Sequence, residues 1–297
     1  MRPVSSPGPS PAAFRIPVRL SEVAVISDRR LEREAAKRRR ARRGQAIAAA
    51  SSVVVIGGLA TLVLTSPGWP AVRETFFSWS AFKDAFPEVL EGFWLDVKIF
   101  MVVEVAVLIV GLVIALVRTS QNPALFPLRL LGTVFVDVFR GIPTVLLVYL
   151  IGFGVPALEL TGAPTDVVVL GGIALCLSYS AYVAEVYRAG IRSVHRGQRD
   201  AALAIGLTEG QALRHVILPQ AVRRVAAPLL NDFVALQKDV ALISILGPAE
   251  AFRAAEIIQY KTFNFTPLIA AACLYLLVTV PLARVVDRMG GPEGTVR

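Results

Sequence analysis

Histidine and cysteine are nearly missing, with two residues of each among 297. His195 and His215 have no metal-ligand spacing and read as solvated surface. Cys176 and Cys273 form neither a Cys-x-x-Cys pair nor a disulfide framework; both lie in apolar stretches and read as small packing residues. No Gly-Lys pair occurs at all, which excludes a phosphate loop of the Gly-x-x-x-x-Gly-Lys-Ser/Thr type, so ATP chemistry is expected in another polypeptide; no metal or cofactor is expected in this chain. Charge is scarce as well. Asp, Glu, Lys and Arg make up 18%, against about 25% in a soluble domain. With 55% hydrophobic residues and a mean hydropathy of +0.62, the deficit excludes an ordinary water-soluble globule, and it excludes a mainly disordered chain. What remains is membrane embedding.

The formal charge of +9 does not indicate nucleic acid, because it is not spread over a face. Residues 1–44 hold twelve Arg and Lys against four Asp and Glu, which is +8 and leaves +1 for everything else. Such a basic cytoplasmic tail beside a membrane span fixes orientation and holds anionic lipid headgroups, at roughly 1 kcal/mol per basic residue near the surface. Residues 28–43 read as a helix extending the first span inward. Residues 1–21, with five prolines, read as disordered.

Apolar runs of about 20 residues cross a bilayer as helices, since every backbone polar group must be satisfied internally there. The cleanest run, 45–65, has no charge and follows Lys37-Arg38-Arg39-Arg40-Ala41-Arg42-Arg43. It is longer than the apolar core of a signal peptide, and its exit at Thr65-Ser66-Pro67-Gly68-Trp69 has no small-x-small cleavage site, so it reads as an uncleaved anchor over 45–66. Five more spans are expected near 93–117, 131–153, 167–187, 225–247 and 266–286. The fold class is therefore an all-α membrane protein of six transmembrane helices with both termini cytoplasmic. In that orientation 24 of the 31 basic residues fall in cytoplasmic segments, Arg73, Lys83, Arg253 and Lys261 fall in exterior ones, and Lys98, Arg140 and Lys238 lie within spans. A C-terminal tail, 289–297, closes the arrangement.

Two segments outside the spans stand out. Residues 67–87 carry Phe76, Trp79, Phe82 and Phe86 at near-helical spacing and read as an amphipathic aromatic helix on the exterior leaflet. Residues 188–224 form the longest cytoplasmic connection of the hydrophobic body. There Asp200-Ala201-Ala202 reads as a first helical turn, an acid at the positive helix end with small neighbours. Gly206 ends that helix, because glycine accepts the left-handed conformation freely. A second helix then runs through Gln211-Ala212-Leu213-Arg214-His215-Val216-Ile217-Leu218 to Pro219.

The spacing of that loop resembles the EAA loop of bacterial ABC importer permeases. Asp200 stands for Glu and Val216 for Ile, while Ala201, Ala202, Gly206, Leu218 and Pro219 are in step, with Leu203 and Leu207 between. Val138-Phe139-Arg140-Gly141-Ile142-Pro143, the stretch from Ser180 to Ile191, and Leu236-Gln237-Lys238-Asp239-Val240-Ala241-Leu242 resemble further elements of the polar amino-acid permeases. Four weak motifs in order, over a region 88–288, make the resemblance specific. It implies a five-span core preceded by an extra helix. It further implies a second permease subunit, identical or related, two copies of an ATPase subunit that carry the ATP and Mg, and an extracytoplasmic amino-acid-binding protein. The coupling loop would pass ATPase closure into the membrane, and the chain would be no enzyme itself. A passive channel or ion-coupled carrier explains the intramembrane charges but leaves the loop without purpose. A membrane-anchored scaffold lacks a soluble domain of useful size.

Ionisable groups within spans are costly and face protein or water. Glu104 has no basic residue three or four positions away and needs a partner on another helix. Asp137 and Arg140 are spaced to pair along one helix, which Gly141 and Pro143 then interrupt. Tyr182 and Glu185 lie one turn apart, with Arg188 one turn further on. Lys238 and Asp239 are adjacent, point to different faces, and each calls for a partner elsewhere. Glu104, Asp137, Arg140, Tyr182, Glu185, Lys238 and Asp239 are the seven candidates for the substrate path.

Overall fold

The computed structural model describes residues 20–289; the tail residues 1–19 and 290–297, including most of the segment expected to be disordered, lie outside them. The described chain is helical throughout, in two units that divide at Trp69.

The first unit is one helix, α1 (Leu20–Leu64). No proline occurs within it, so nothing breaks the expected continuation of the span into its basic flank. In its apolar part, hydroxyls return to carbonyls one turn back, Ser51 to Ala48 at 2.9 Å and Thr61 to Gly57 at 2.8 Å, so these polar groups are satisfied within the helix.

The second unit begins with α2 (Trp69–Phe76) and α3 (Trp79–Thr119). The exterior aromatic segment is therefore not one separate helix. Phe76 ends α2 and stacks on Phe265 at 4.8 Å, whereas Trp79, Phe82 and Phe86 form a ladder of stacked rings on the first turns of α3. Ser78 caps α3 by accepting from Ala81 N–H, and Pro87 lies inside the helix at its ninth residue. A bent pair follows, α4 (Phe126–Gly141) and α5 (Thr144–Ala157), then α6 (Val167–Ser193). The cytoplasmic connection supplies α7 (Arg196–Ala204) and α8 (Glu209–Ala212), and a π turn at Leu213–Ile217 leads into α9 (Leu218–Asp239). A 3-10 turn (Val240–Leu246), α10 (Ala251–Thr262) and α11 (Thr266–Met289) complete the unit.

Helix α6 is the axis of the core. Its Ala174, Leu175, Tyr179 and Val183 are buried against Ile99, Phe100, Val103 and Val107 of α3, Leu147 and Val148 of α5, and Leu236, Val240 and Ile243 after them. A second core joins Val89 and Phe93 of α3 to Ala251 and Ala255 of α10 and Leu274 of α11. Among the described residues, four helical stretches are long and apolar enough to cross a bilayer: Arg43–Leu64, Trp69–Thr119, Val167–Ser193 and Thr266–Val286; a fifth counts if the bent pair is one span. The stretch expected at 225–247 does not meet that measure. It is split between α9 and the 3-10 turn, and α9 carries Arg223, Arg224, Asp232 and Lys238, side chains that suit a protein-lined or wet face.

The expected single span at 131–153 is two helices meeting at 105°. Ile142 and Pro143 are extended at the corner, since a residue before proline avoids the helical region. The Thr144 and Ser178 hydroxyls, 3.0 Å apart, tie the start of α5 to α6.

Candidate functional site

The cytoplasmic elbow is built from local chemistry. His195 Nδ1 accepts from Gly197 N–H at 3.1 Å, so α7 starts at Arg196 and this exposed histidine is its cap. Asp200-Ala201-Ala202 is consequently the second turn, not the first as the spacing had implied. Gly206 does end the helix. Its φ is +91°, Gly206 N–H donates to Leu203 O at 3.0 Å, and Leu207 N–H donates to Ala202 O at 3.1 Å, a pairing that closes the last carbonyls and requires a left-handed residue. Thr208 and Gln211 then cap α8 reciprocally, at 3.3 and 2.9 Å.

Pro219 does not end the second helix either. It sits in the first turn of α9, where a missing N–H is harmless, and the bond it cannot make to the carbonyl four residues back coincides with the widened π turn before it.

Two tethers hold the elbow to the body. Arg199 donates to both Glu209 oxygens, at 2.9 and 2.6 Å, and to Gln121 after α3 at 2.9 Å; Arg224 of α9 donates to Ser193 at the end of α6. Ala202 turns inward and is buried, while Asp200, Ala201 and Ala204 face out and Ile205 is 79% exposed. Leu203, Leu207 and Leu218 are half-buried beneath. An open cleft of about 1430 Å³ separates the elbow from the ends of α3 and α6, lined by Arg118, Arg129, Arg192, Arg196 and Arg199.

A second site lies between α3, α4, α6 and α9. The Arg140 guanidinium stands over the Tyr182 ring at 5.4 Å, and the Tyr182 hydroxyl donates to the Arg140 carbonyl at 3.4 Å. Tyr179, 6.2 Å from Tyr182, donates to Asp239 Oδ2 at 2.8 Å. Asp232 is within electrostatic range of Arg140 on one side and of Glu104 on the other, and its Oδ2 is buried without a hydrogen-bond partner. Glu104 in turn faces Tyr187. Four of the seven path candidates, Glu104, Arg140, Tyr182 and Asp239, are thus gathered into one cluster.

The other three are elsewhere. Asp137 is exposed and does not pair with Arg140, whose guanidinium is drawn to the Tyr182 face instead. Lys238 is exposed with no polar partner among the described residues. Glu185 is taken by two guanidinium groups: Arg188 on its own helix, as the spacing implied, and Arg118 of α3 at 3.1 Å. Asp232, Tyr179 and Tyr187 escaped the sequence reading; an acid at 232 inside an expected span was the available signal for the first.

Residues 120–290 match the model of the family described as binding-protein-dependent transport system inner membrane component. The chain belongs to this family. It is a permease, a multi-pass protein of the bacterial inner membrane and not an enzyme. GlnP of Rickettsia felis, named as a glutamine transport system permease, is 33% identical over 204 residues, covering 67% of this chain and 91% of its own. The arginine transport system permease ArtQ of Bacillus subtilis is 32% identical over 197 residues, covering 66% and 88%. Among solved structures, an amino acid ABC transporter crystallised with histidines has 31% identity and a TM-score of 0.64, covering 71% of the permease and 96% of that chain. The inward-facing MetNI methionine transporter, at 20% identity and a TM-score of 0.52, shares the fold.

Proposed function

We propose that this permease imports polar amino acids across the cytoplasmic membrane by alternating access, driven by a separate ATPase that grips the α7–Gly206–α8 elbow. The observation that carries the reading is the elbow itself. A short helix is tied to the body by Arg199, with Arg224 joining α9 to the end of α6 just before it, yet presents a thin outer face, Asp200, Ala201, Ala204 and a bare Ile205, that suits insertion into a partner's groove. The driving energy is the ATPase's differential binding to the two states of the gate, so no chemistry is needed in this chain.

The cargo class follows from the cluster and from the relatives named for glutamine and arginine. An amino acid carries an ammonium and a carboxylate. Glu104, Asp232 and Asp239 offer carboxylates for the first, and Arg140 offers a planar two-pronged donor for the second. Glu185 is assigned a structural role, bridging α3 and α6 through its two arginines.

Six spans with both termini cytoplasmic accommodate the distribution of basic residues. In this arrangement α9 crosses with its polar face on the cluster. A second permease subunit covers exposed Asp137 and Lys238, two ATPase subunits lie inside, and a soluble binding protein delivers from outside. The test is uptake of radiolabelled Arg, His, Gln and Glu into vesicles holding the permease with its partners. Uptake of at least one that requires ATP supports the reading; uptake unchanged without nucleotide points to an ion-coupled carrier and overturns it.

A further inference from the structure

One more group of ionisable side chains is buried, and the transport cycle just described leaves it without a task. Asp96 of α3 is 2% exposed and Glu250, at the head of α10, is 0% exposed. Three features bring them together. Gly92 lies one turn before Asp96, and a Cβ there would stand 2.6 Å from the Glu250 carbonyl carbon and 2.8 Å from the Ala251 nitrogen, so the start of α10 rests directly on the α3 backbone. Glu250 caps α10, accepting N–H groups from Phe252 at 2.7 Å and Arg253 at 2.8 Å. Tyr275 of α11 places its hydroxyl 2.7 Å from Asp96 Oδ2 and 3.4 Å from Glu250 Oε2. The Ala251 N–H lies 3.4 Å from the same Asp96 oxygen, and Asp96 Oδ1 is buried with no partner.

Among the described residues, no cation pairs with Asp96 or Glu250. On α3, Lys98 is exposed beside the Trp94 ring at 5.8 Å and Lys83 beside Trp79 at 5.3 Å, while Glu88 and Glu91 are exposed and add no positive charge. On α10, Arg253 is paired with Glu256, and Lys261 lies in the last turn. The 3-10 turn Val240–Leu246 has no ionisable residue, and α11 brings the neutral Tyr275 to the pair, its Arg284 and Arg288 lying two or more turns further along. Two carboxylates converging on one hydroxyl in a dry site cannot both be charged, and one proton between them relieves the conflict.

We propose that Asp96 and Glu250 form a proton-binding site, and that the single proton they share keeps α10 docked on α3 and α11. Burial, and after it the neighbouring Asp96, push the Glu250 carboxyl from 4.5 up to about 8. A carboxyl raised in the folded state confers stability that is complete below its ordinary value and is lost as pH climbs through the raised one. The site therefore holds its proton at neutral pH, while its contribution to docking α10 declines from about pH 4.5 upward and is fully lost above about 8. Neither cargo nor ATPase enters this argument.

The test uses the full chain in lipid nanodiscs, with infrared titration of the carboxylic C=O stretch and hydrogen exchange of the α10 amides. In the native sequence, one buried carboxylic acid is expected to lose its proton with a midpoint near 8, and α10 protection should decline between about pH 4.5 and 8 and level off above. Glu250→Gln is expected to remove that band and keep α10 equally protected on both sides of the midpoint. Asp96→Asn, which removes the like charge but leaves the burial, should lower the Glu250 midpoint. A purely structural hydrogen-bond cluster would instead lose protection equally at every pH in both variants. That result, or the absence of a carboxylic band at neutral pH in the native sequence, overturns the proposal.

Discussion

Glu185 shows how a single residue changes meaning once its neighbours are known. Its pairing with Arg188 follows from spacing along one helix, but Arg118 arrives from α3 and its side chain is only 10% exposed. Removing the carboxylate strands a guanidinium in a poorly hydrated place. Glu185→Gln should therefore lower thermal stability, by about 1–3 kcal/mol, the range for a hydrogen bond to a charged group, as read by unfolding of the purified permease. Gly206 is the opposite case, legible from sequence and kept by geometry. A Cβ at this position meets nothing within 4 Å, so only its φ matters. Gly206→Ala should cost roughly 1–2 kcal/mol through the left-handed backbone. Gly206→Pro is more severe, because proline fixes φ near −65° and deletes the N–H that Leu203 accepts. It should abolish ATP-dependent uptake while membrane insertion, followed by fractionation, stays intact. An unchanged affinity for the ATPase would refute the role given to the elbow.

At the level of elements, the break between α4 and α5 was visible as Gly141-Ile142-Pro143, but its 105° bend was not. Proline dictates that a helix stops, whereas the direction of the next helix depends on what it packs against: the Thr144–Ser178 contact and burial of Leu147 and Val148 on α6. Pro143→Ala permits residue 142 to become helical and should broaden and lengthen the distance between spin labels at exposed positions on α4 and α5, with reduced uptake. A distance distribution identical to that of the native sequence would show that packing alone holds the corner. The start of α7 and the passage through Pro219 were misjudged for a related reason. Sequence motifs mark residue types, and the helix boundaries here were decided by a histidine cap and a π turn, neither of which has a strong local signature.

For the whole molecule, the orientation rests on where the basic residues lie and can be checked directly. With Cys176 and Cys273 replaced by serine, a cysteine at exposed Ile205 should react with impermeant reagents only from the cytoplasmic side, and one at exposed Tyr260 only from the exterior. Labelling of both from one side would overturn the six-span arrangement.

Composition and periodicity alone determined that this chain is helical and membrane-embedded, where its basic residues concentrate, and that it has an elbow with a glycine at the bend. Those properties follow from local rules: apolar length, proline and glycine conformations, and charge near a span. Only the tertiary structure decided which buried charges meet. Glu104, Arg140, Asp232 and Asp239 come from three helices, and Asp96 and Glu250 from two. Partners across helices depend on rotation and depth of packing, and a one-dimensional pattern contains neither.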